Sequence, residues 1–425
     1  MSNLIEFRES FLKGEFERKF KKDLHAYSLE RYIKLIDLYK SLFPASCDNV
    51  VFVSAPGRTE IGGNHTDHQH GCVLAASVNL DVIAIAASNN ENIIRVQSEG
   101  YPLDEVDLSD LKPDEDEYNQ AKALIKGVAA RMLELGYEVR GFNAYTTSNV
   151  LKGSGLSSSA AFEVLIANII KSLFGNSSLN STEIAKIAQY SENFYFGKPC
   201  GLMDQMASST GGIVFIDFKN PEDPLVEEID FDFEKFGYAL CIIDSGADHA
   251  DLTDEYAAIP EEMKKVAGYF NKDILREVKK EEFITAIPKL RDYAGDRAVI
   301  RALHFFNENE RVLKEVEALK NKDVKGFLNL VKESGRSSYM YLQNVNVTGS
   351  VKEQALGVIL ALCEEFLKDE GAYRVHGGGF AGTVQAFVPL DKLEEFRQNI
   401  EKASGLRSCH VLSIRPCGGV VYKVR

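Results

Sequence analysis

Four stretches of the sequence gather residues that can do chemistry. The first is Leu151-Lys152-Gly153-Ser154-Gly155-Leu156-Ser157-Ser158-Ser159-Ala160-Ala161, a polar, glycine-spaced run that passes directly into helix-favouring Ala160, Ala161, Phe162, Val164 and Leu165. A loop feeding a helix N-terminus offers unpaired backbone N–H groups and the positive end of the helix dipole, both of which favour an anion. The glycines allow a ligand close to the backbone, and the three serines add hydroxyls suited to phosphate oxygens or a metal ion. The run is not a P-loop, because no Gly-Lys-Ser/Thr follows at the required spacing. An ordinary Ser-capped helix after a flexible loop is the competing explanation.

The second stretch, Gly57-Arg58-Thr59-Glu60-Ile61-Gly62-Gly63-Asn64-His65-Thr66-Asp67-His68-Gln69-His70-Gly71, is polar and lies between two apolar segments. Its Arg, Asn, His, Asp and Gln supply both donors and acceptors, as the hydroxyls of a polyhydroxy ligand require. Zinc ligation by His65, His68 and His70 with Asp67 competes, although the spacing matches no known zinc pattern; a solvated turn is the third option. In the third stretch, Gly201 stands before an apolar segment holding a lone Asp204. That carboxylate either caps its own helix or faces a substrate hydroxyl. The fourth, Val375-His376-Gly377-Gly378-Gly379-Phe380-Ala381-Gly382-Thr383-Val384, has glycines suited to close approach of a ligand or another loop.

The elements that must hold these stretches follow from periodicity. Amphipathic helices are expected over about 3–20 and 26–43. A strand at Val50–Val53 should end in a turn at Ala55-Pro56-Gly57, and strands should follow at Val73–Val78, Val82–Ala87 and Ile93–Val96. The acidic run Asp114–Glu117 precedes a helix over about 118–135 that Gly136 ends, and Phe142–Thr147 forms the strand delivering the chain to the Gly153 loop. Helices over about 157–174 and from Ser181 or Thr182 to Tyr195 come next, then a strand at Ile213–Phe218. The second half should contain a strand at Tyr238–Ile243, helices near 254–270, 298–318, 322–334, 351–368 and 391–403, and strands at Val384–Val388, around 409–414 and at the C-terminus.

A chain of 425 residues is too long for one ordinary core, so two domains are expected, 1–230 and 231–425. With 45% apolar and 26% charged residues the composition is that of a soluble globular protein. Nothing resembles a membrane span or a signal peptide, and seven scattered cysteines, an odd number, point to reduced thiols in the cytoplasm. A net charge of −14 argues against a nucleic-acid surface but leaves room for one nucleotide site.

Taken in order, these motifs resemble the galactokinase branch of the GHMP small-molecule kinases. Gly57-Arg58…Gly63-Asn64-His65-Thr66-Asp67 is similar to that family's sugar-binding signature, Gly153–Ala160 to its ATP loop, Cys200-Gly201-Leu202-Met203-Asp204-Gln205 to the segment with the catalytic aspartate, and Gly377–Gly382 to its third motif. The resemblance implies an α+β, two-domain GHMP kinase fold: an N-terminal α/β domain of the ribosomal protein S5 domain 2-like type, and a C-terminal ferredoxin-like α+β domain. ATP and sugar would share the cleft. It implies Asp204 as the carboxylate facing the C1 hydroxyl, Arg58 beside it, and Gly153, Ser154, Gly155, Leu156, Ser157, Ser158 and Ser159 around ATP. Ser159 and Glu192 would hold Mg²⁺, and Asn64, His65, Asp67, Gly201 and Tyr256 would bind the sugar. The expected reaction is ATP-dependent phosphorylation of galactose at C1 by a cytoplasmic monomer, with no nucleic-acid or membrane partner.

Two departures stand out. The family's Arg-x-Asn is replaced by Glu60, and its Glu-His-Thr-Asp-Tyr by Asn64-His65-Thr66-Asp67-His68. A neutral amide at 64 removes repulsion against a C6 carboxylate, and Asp67-His68-Gln69 is similar to galacturonate kinases, so galacturonate, N-acetylgalactosamine and arabinose are alternative substrates. A galactose sensor without activity is disfavoured by the intact Ser157–Ala161 and Asp204. A mevalonate or homoserine kinase is disfavoured by the polyhydroxyl-binding block.

Overall fold

The computed structural model describes residues 3–14, 29–151, 153–198, 200–247, 252–405 and 407–423. Lys152 and the end of the first expected helix lie outside these residues.

The motif strands come from one long antiparallel pairing. β1 (Val51–Gly62) is buried along its whole length and pairs with β2 (Cys72–Ser88). The turn expected at Ala55-Pro56-Gly57 is not there: the strand runs through it, and the ladder slips register between Pro56 and Arg58 and again between Glu60 and Gly62. A proline without an N–H and a glycine without a Cβ read as turn residues, but a bulge absorbs both and re-aims the side chains that follow. Likewise β2 is one strand where two were expected. Its first half pairs with β6 (Ile213–Asp217) and its second half with β5 (Phe142–Ser148).

β3 (Ile93–Ser98) runs parallel to β5 and antiparallel to β4 (Leu103–Asp107), and β7 (Leu225–Ile229) borders β6. The last strand, β12 (Val420–Tyr422), returns to pair with β1, giving an eight-stranded sheet. Alternation sorts its two faces. Val51, Val53, Ala84 and Ala86 face the core under helices Ala121–Glu134, Ser158–Phe174 and Ser181–Phe194. Phe52, Ile83 and Ile85 face the N-terminal helices Asn3–Leu12 and Leu29–Leu42.

The second sheet is four-stranded and antiparallel, in the order β11 (Cys409–Leu412), β8 (Tyr238–Asp244), β10 (Thr383–Pro389), β9 (Ala372–His376). Cys241, Ile243, Val384 and Ala386 pack under helices Ala355–Leu367 and Leu393–Ser404. Leu240, Ile242, Phe387 and Leu412 join the core of the first sheet, and a single bridge, Val78 to Ile414, ties the two sheets. Helices Thr253–Tyr269, Lys280–Ala294 and Asp296–Lys320 enclose a further core. None of the described helices is long and apolar enough to cross a membrane.

Candidate active site

Arg58 follows the first register slip in β1 and is only 7% exposed. Its Nε donates to Asp204 Oδ1 at 2.7 Å and its Nη2 to Asp204 Oδ2 at 2.5 Å, while Nη1 donates to the carbonyl oxygen of Gly155. Asp204 is the second residue of the short helix Met203–Thr210, whose N-cap, Leu202, makes no side-chain capping bond. The carboxylate therefore does not cap its own helix; it is clasped by the guanidinium. Burial opposes its ionisation, but the charge and paired hydrogen bonds of Arg58, with a further bond from Ser157, hold it below the ordinary aspartate value. Asp204 is an anion across the working pH range.

The Gly153 loop lies against the same strand: the Arg58 N–H donates to the Leu156 carbonyl at 2.9 Å. Gly153 and Gly155 both have φ +71°, which a side chain disfavours. Leu156 is fully buried in the core, and Ser154 is 2% exposed with its hydroxyl donated to the Leu151 carbonyl at 2.7 Å. Those two offer a ligand their backbone rather than their side chains. Ser157, at φ 54°, makes no capping bond, leaving the first N–H groups of the 17-residue helix Ser158–Phe174 open to an anion.

On that helix Ser159 Oγ donates to Glu192 Oε1 at 2.9 Å, and Glu192 is 2% exposed. Gln205 Nε2 bridges from Glu192 Oε2 at 2.7 Å to Glu163 Oε2 at 3.3 Å. Burial, then repulsion from Glu192, pushes Glu163 well above the carboxylate range, so it is a neutral acid. Adjacent hydroxyl and carboxylate oxygens are hard donors that fit Mg²⁺, which takes one or two protein ligands and completes its shell with phosphates and water. No group of three or more His, Cys, Asp or Glu suited to a metal occurs among the described residues.

The polar stretch divides between strand and loop. Arg58 to Gly62 belong to β1, and Gly63 to Gly71 form the loop before β2. His65, at φ 57° and 9% exposed, places Nε2 3.0 Å from the Gly378 carbonyl, so Nε2 carries the proton and Nδ1 is a buried acceptor with no partner among the described residues. Burial and neighbouring His68 push its pKa down to about 3, so the ring is neutral. Asp67 adjoins Gly201 so closely that a Cβ there would fall 2.2 Å from Asp67 Oδ2. Tyr256 stacks on Gly378 and donates its hydroxyl to the Gly379 carbonyl at 2.8 Å.

Asn64 is placed differently from the rest. It is fully buried, its Nδ2 donates to Glu60 Oε1 at 3.0 Å and to the Gly377 carbonyl at 2.7 Å, and its Oδ1 accepts from Ser338 and from Asn344. Glu60 in turn is paired with fully buried Arg374. The amide at 64 is thus spent beneath the site rather than aimed into it.

Contacts run unbroken from Asp67 to Gly201, across three residues to Asp204, through Arg58 to Gly155 and on to the helix N-terminus. Beside that N-terminus opens a cavity of about 980 Å³ whose lining includes Ser158, Ser159, Tyr101, Asn119, Lys122 and Phe196. Apart from Ser158 and Ser159, the cavity residues were not singled out from the sequence, because they come from several strands, helices and connections that no motif joins. Gln205 and Glu163 were also missed as partners of Glu192: Gln205 closes the Cys200–Gln205 motif without its role being legible there, and Glu163 had no local signal.

Two family models match the chain: the GHMP kinases N terminal domain over residues 123–212, and the galactokinase galactose-binding signature over residues 37–88. A galactokinase of Glaesserella parasuis is 32% identical over 370 residues, covering 84% of this chain and 90% of that one. One of Actinobacillus pleuropneumoniae is 32% identical over 380 residues, covering 87% and 94%. Among solved structures, Lactococcus lactis galactokinase complexed with galactose superposes with a TM-score of 0.77 at 24% identity, covering 91% of this chain and 99% of that one. A mevalonate kinase gives 0.57 at 18% identity, covering 86% and 99%. With nearly a third of residues identical over most of both sequences, the chain belongs to the galactokinase family of the GHMP kinases.

Proposed function

We propose that this sugar kinase transfers the γ-phosphoryl group of ATP to the C1 hydroxyl of galactose, giving galactose 1-phosphate and ADP. The observation that carries the proposal is the clasp of Arg58 on Asp204, with the third Arg58 donor on Gly155: one side chain joins the acceptor's carboxylate to the donor's loop.

In this reading the nucleoside occupies the 980 Å³ cavity and its phosphates meet the N-terminus of Ser158–Phe174. Glycines 153 and 155 bring the backbone close, and Ser157 and Ser158 supply hydroxyls. Ser159 and Glu192 hold Mg²⁺, which supplies charge neutralisation on the phosphates. The sugar lies between Asp67 and Asp204, with the unpartnered Nδ1 of His65 accepting from one of its hydroxyls. Tyr256 supports this wall by holding Gly378 and Gly379.

Asp204, ionised and held by Arg58, accepts a hydrogen bond from the C1 hydroxyl and aims its lone pair at phosphorus. As the new O–P bond forms and the bond to ADP breaks, the hydroxyl proton passes to Asp204. An aspartate this acidic is a poor base before the transition state, so its main work is orientation, with proton uptake late. Arg58 offsets the charge spreading over the transferring group.

Because Asn64 lies under the site, exchanging glutamate for it changes the packing below the sugar more than the groups offered to C6, and galactose remains the leading substrate. We further read residues 1–230 and 231–425 as the two domains flanking the cleft, with β12 crossing back to the first sheet, and the protein as a cytoplasmic monomer. The decisive comparison is kcat/KM for galactose, galacturonate, N-acetylgalactosamine and arabinose. Galactose should lead by at least about tenfold, the worth of one lost hydrogen-bonded contact; a lead for galacturonate would contradict the assignment.

A further inference from the structure

His376 ends β9 directly before the three glycines 377–379 and is 2% exposed. Its ring touches three separate segments. Nε2 lies 3.0 Å from Thr59 Oγ1 and 3.4 Å from the Glu60 nitrogen, both on the strand that carries Arg58. Nδ1 lies 2.9 Å from Thr383 Oγ1, and Thr383 donates in turn to the Ser154 carbonyl at 2.9 Å. The following loop residue, Gly155, is so near that a Cβ on it would stand 3.0 Å from Nδ1.

The hydrogens along this path have one consistent assignment. A backbone N–H only donates, so the nitrogen facing Glu60 is the bare one and Nδ1 carries the proton. Gln385 Nε2 donates to Thr59 Oγ1 at 2.9 Å, which leaves the Thr59 hydrogen for His376 Nε2. Nδ1–H then donates to Thr383 Oγ1, and the Thr383 hydrogen goes to Ser154. Each hydroxyl accepts once and donates once, from Gln385 to the nucleotide loop. Burial and the charges of Arg58 and Arg374 push the ring's pKa down to about 3, which keeps it in the neutral form this path needs.

The path runs parallel to the Arg58 contact. Arg58 binds the Gly155 carbonyl directly, while its neighbour Thr59 reaches the Ser154 carbonyl through His376 and Thr383. Two consecutive strand residues are tied to two consecutive loop carbonyls. Without the second tie, the loop would be registered on this strand by the Arg58 N–H bond to the Leu156 carbonyl and by a guanidinium that the reaction itself recruits.

We propose that His376 is a positioning residue that registers the nucleotide loop against the Arg58 strand, so that filling the donor side tightens the acceptor side. The inference rests on reading residues 153–159 as the phosphate loop and the Arg58–Asp67 segment as the sugar side. It concerns a residue that meets neither ligand, so a change at His376 acts only through Thr59, Glu60 and Thr383.

Calorimetric titration of galactose, with and without a non-hydrolysable ATP analogue and Mg²⁺, reads the coupling directly, since each ligand must alter the other's affinity by the same factor. The wild type is expected to show a coupling of about 5- to 150-fold. In His376→Phe, which keeps a ring but none of these bonds, it should fall most of the way to unity, the Arg58 contact carrying what is left. His376→Gln retains a polar atom near Nε2 and none at Nδ1, so adding Thr383→Val to it should cost little more, whereas Thr383→Val alone should cost about as much as His376→Gln. Non-additivity of that kind marks one shared path.

Coupling that persists undiminished in folded His376→Phe, additive losses in the cycle, or a wild type that binds both ligands without coupling would each overturn the inference. Should His376→Phe fail to fold, Thr383→Val alone carries the test, and unchanged coupling in that variant counts against the proposal. A wild type that binds neither galactose nor the ATP analogue would instead undo the functional reading.

Discussion

Arg58 serves two partners whose demands differ. Toward Asp204 it is an ion-pair partner that keeps the carboxylate charged; toward Gly155 it donates to a neutral carbonyl and fixes the loop. Asp204→Ala should lower kcat by about 100- to 10,000-fold, the usual worth of a positioned acid–base group, while the affinity for ATP, measured by titration, stays within a few-fold. Arg58→Leu has a second signature besides lost turnover. With the carboxylate's pKa depressed in the wild type, activity that needs the anion is present above that pKa and is lost as pH falls through it. Removing the guanidinium leaves burial to raise the pKa, so the acid limb of kcat/KM moves to higher pH. A profile that does not move would show that Arg58 does not set the charge state. Both residues were legible in the sequence through their motifs. The fate of Asn64 was not, because its four partners come from Glu60, Gly377, Ser338 and Asn344, and no local pattern announces contacts across so many residues.

Among the elements, helix Asp296–Lys320 does more than its place in the sequence suggests. Buried His304, Glu308 and Glu315, with half-buried Arg311, recur at helical spacing along one face beneath the sugar loop. His304 Nε2 donates to the Asn64 carbonyl at 2.9 Å, and Glu308 accepts from the Gly63 N–H at 3.3 Å, from Ser334 and from Arg311. Glu308→Ala should cost about 3 kcal/mol in chemical denaturation, because it removes the buried partner of Arg311, Ser334 and the Gly63 N–H together. The phosphate loop is as exacting. Gly155→Ala meets both a left-handed φ and the His376 ring, so it should cost about 1–2 kcal/mol of stability and raise KM for ATP more than KM for the sugar. Gly201→Ala, whose Cβ would strike Asp67, should do the reverse; equal effects on both substrates would argue against the division of the cleft. Strongly periodic elements such as Ser158–Phe174 were readable almost to the residue. Polar edge strands such as Leu103–Asp107, and the proline-bearing helix Lys280–Ala294, were not, since their hydrophobic pattern is weak and their place is set by tertiary packing.

At the scale of the whole molecule, one core joins the two sheets, and the chain's last described strand returns to β1 beside the strand residues that lead into Arg58. Tyr422 lies edge-on to Phe7 at 5.4 Å, in the core that covers that face of the sheet. Deleting residues 420–425 should therefore lower the denaturation midpoint and weaken catalysis together, because β12 braces the strand that carries Arg58; loss of neither would show that β12 is dispensable. The shared core also predicts a single cooperative unfolding transition for both halves, reported by hydrogen exchange in β2 and in β10. The central claim, that this architecture serves phosphoryl transfer to an anomeric hydroxyl, is tested most directly by following the products with ³¹P NMR. With ATP, Mg²⁺ and galactose, the wild type should give ADP and a sugar phosphate whose phosphorus couples to the anomeric proton, and Asp204→Ala should give almost none. A phosphate at C6, or ADP formed at the same rate without sugar, would contradict the account.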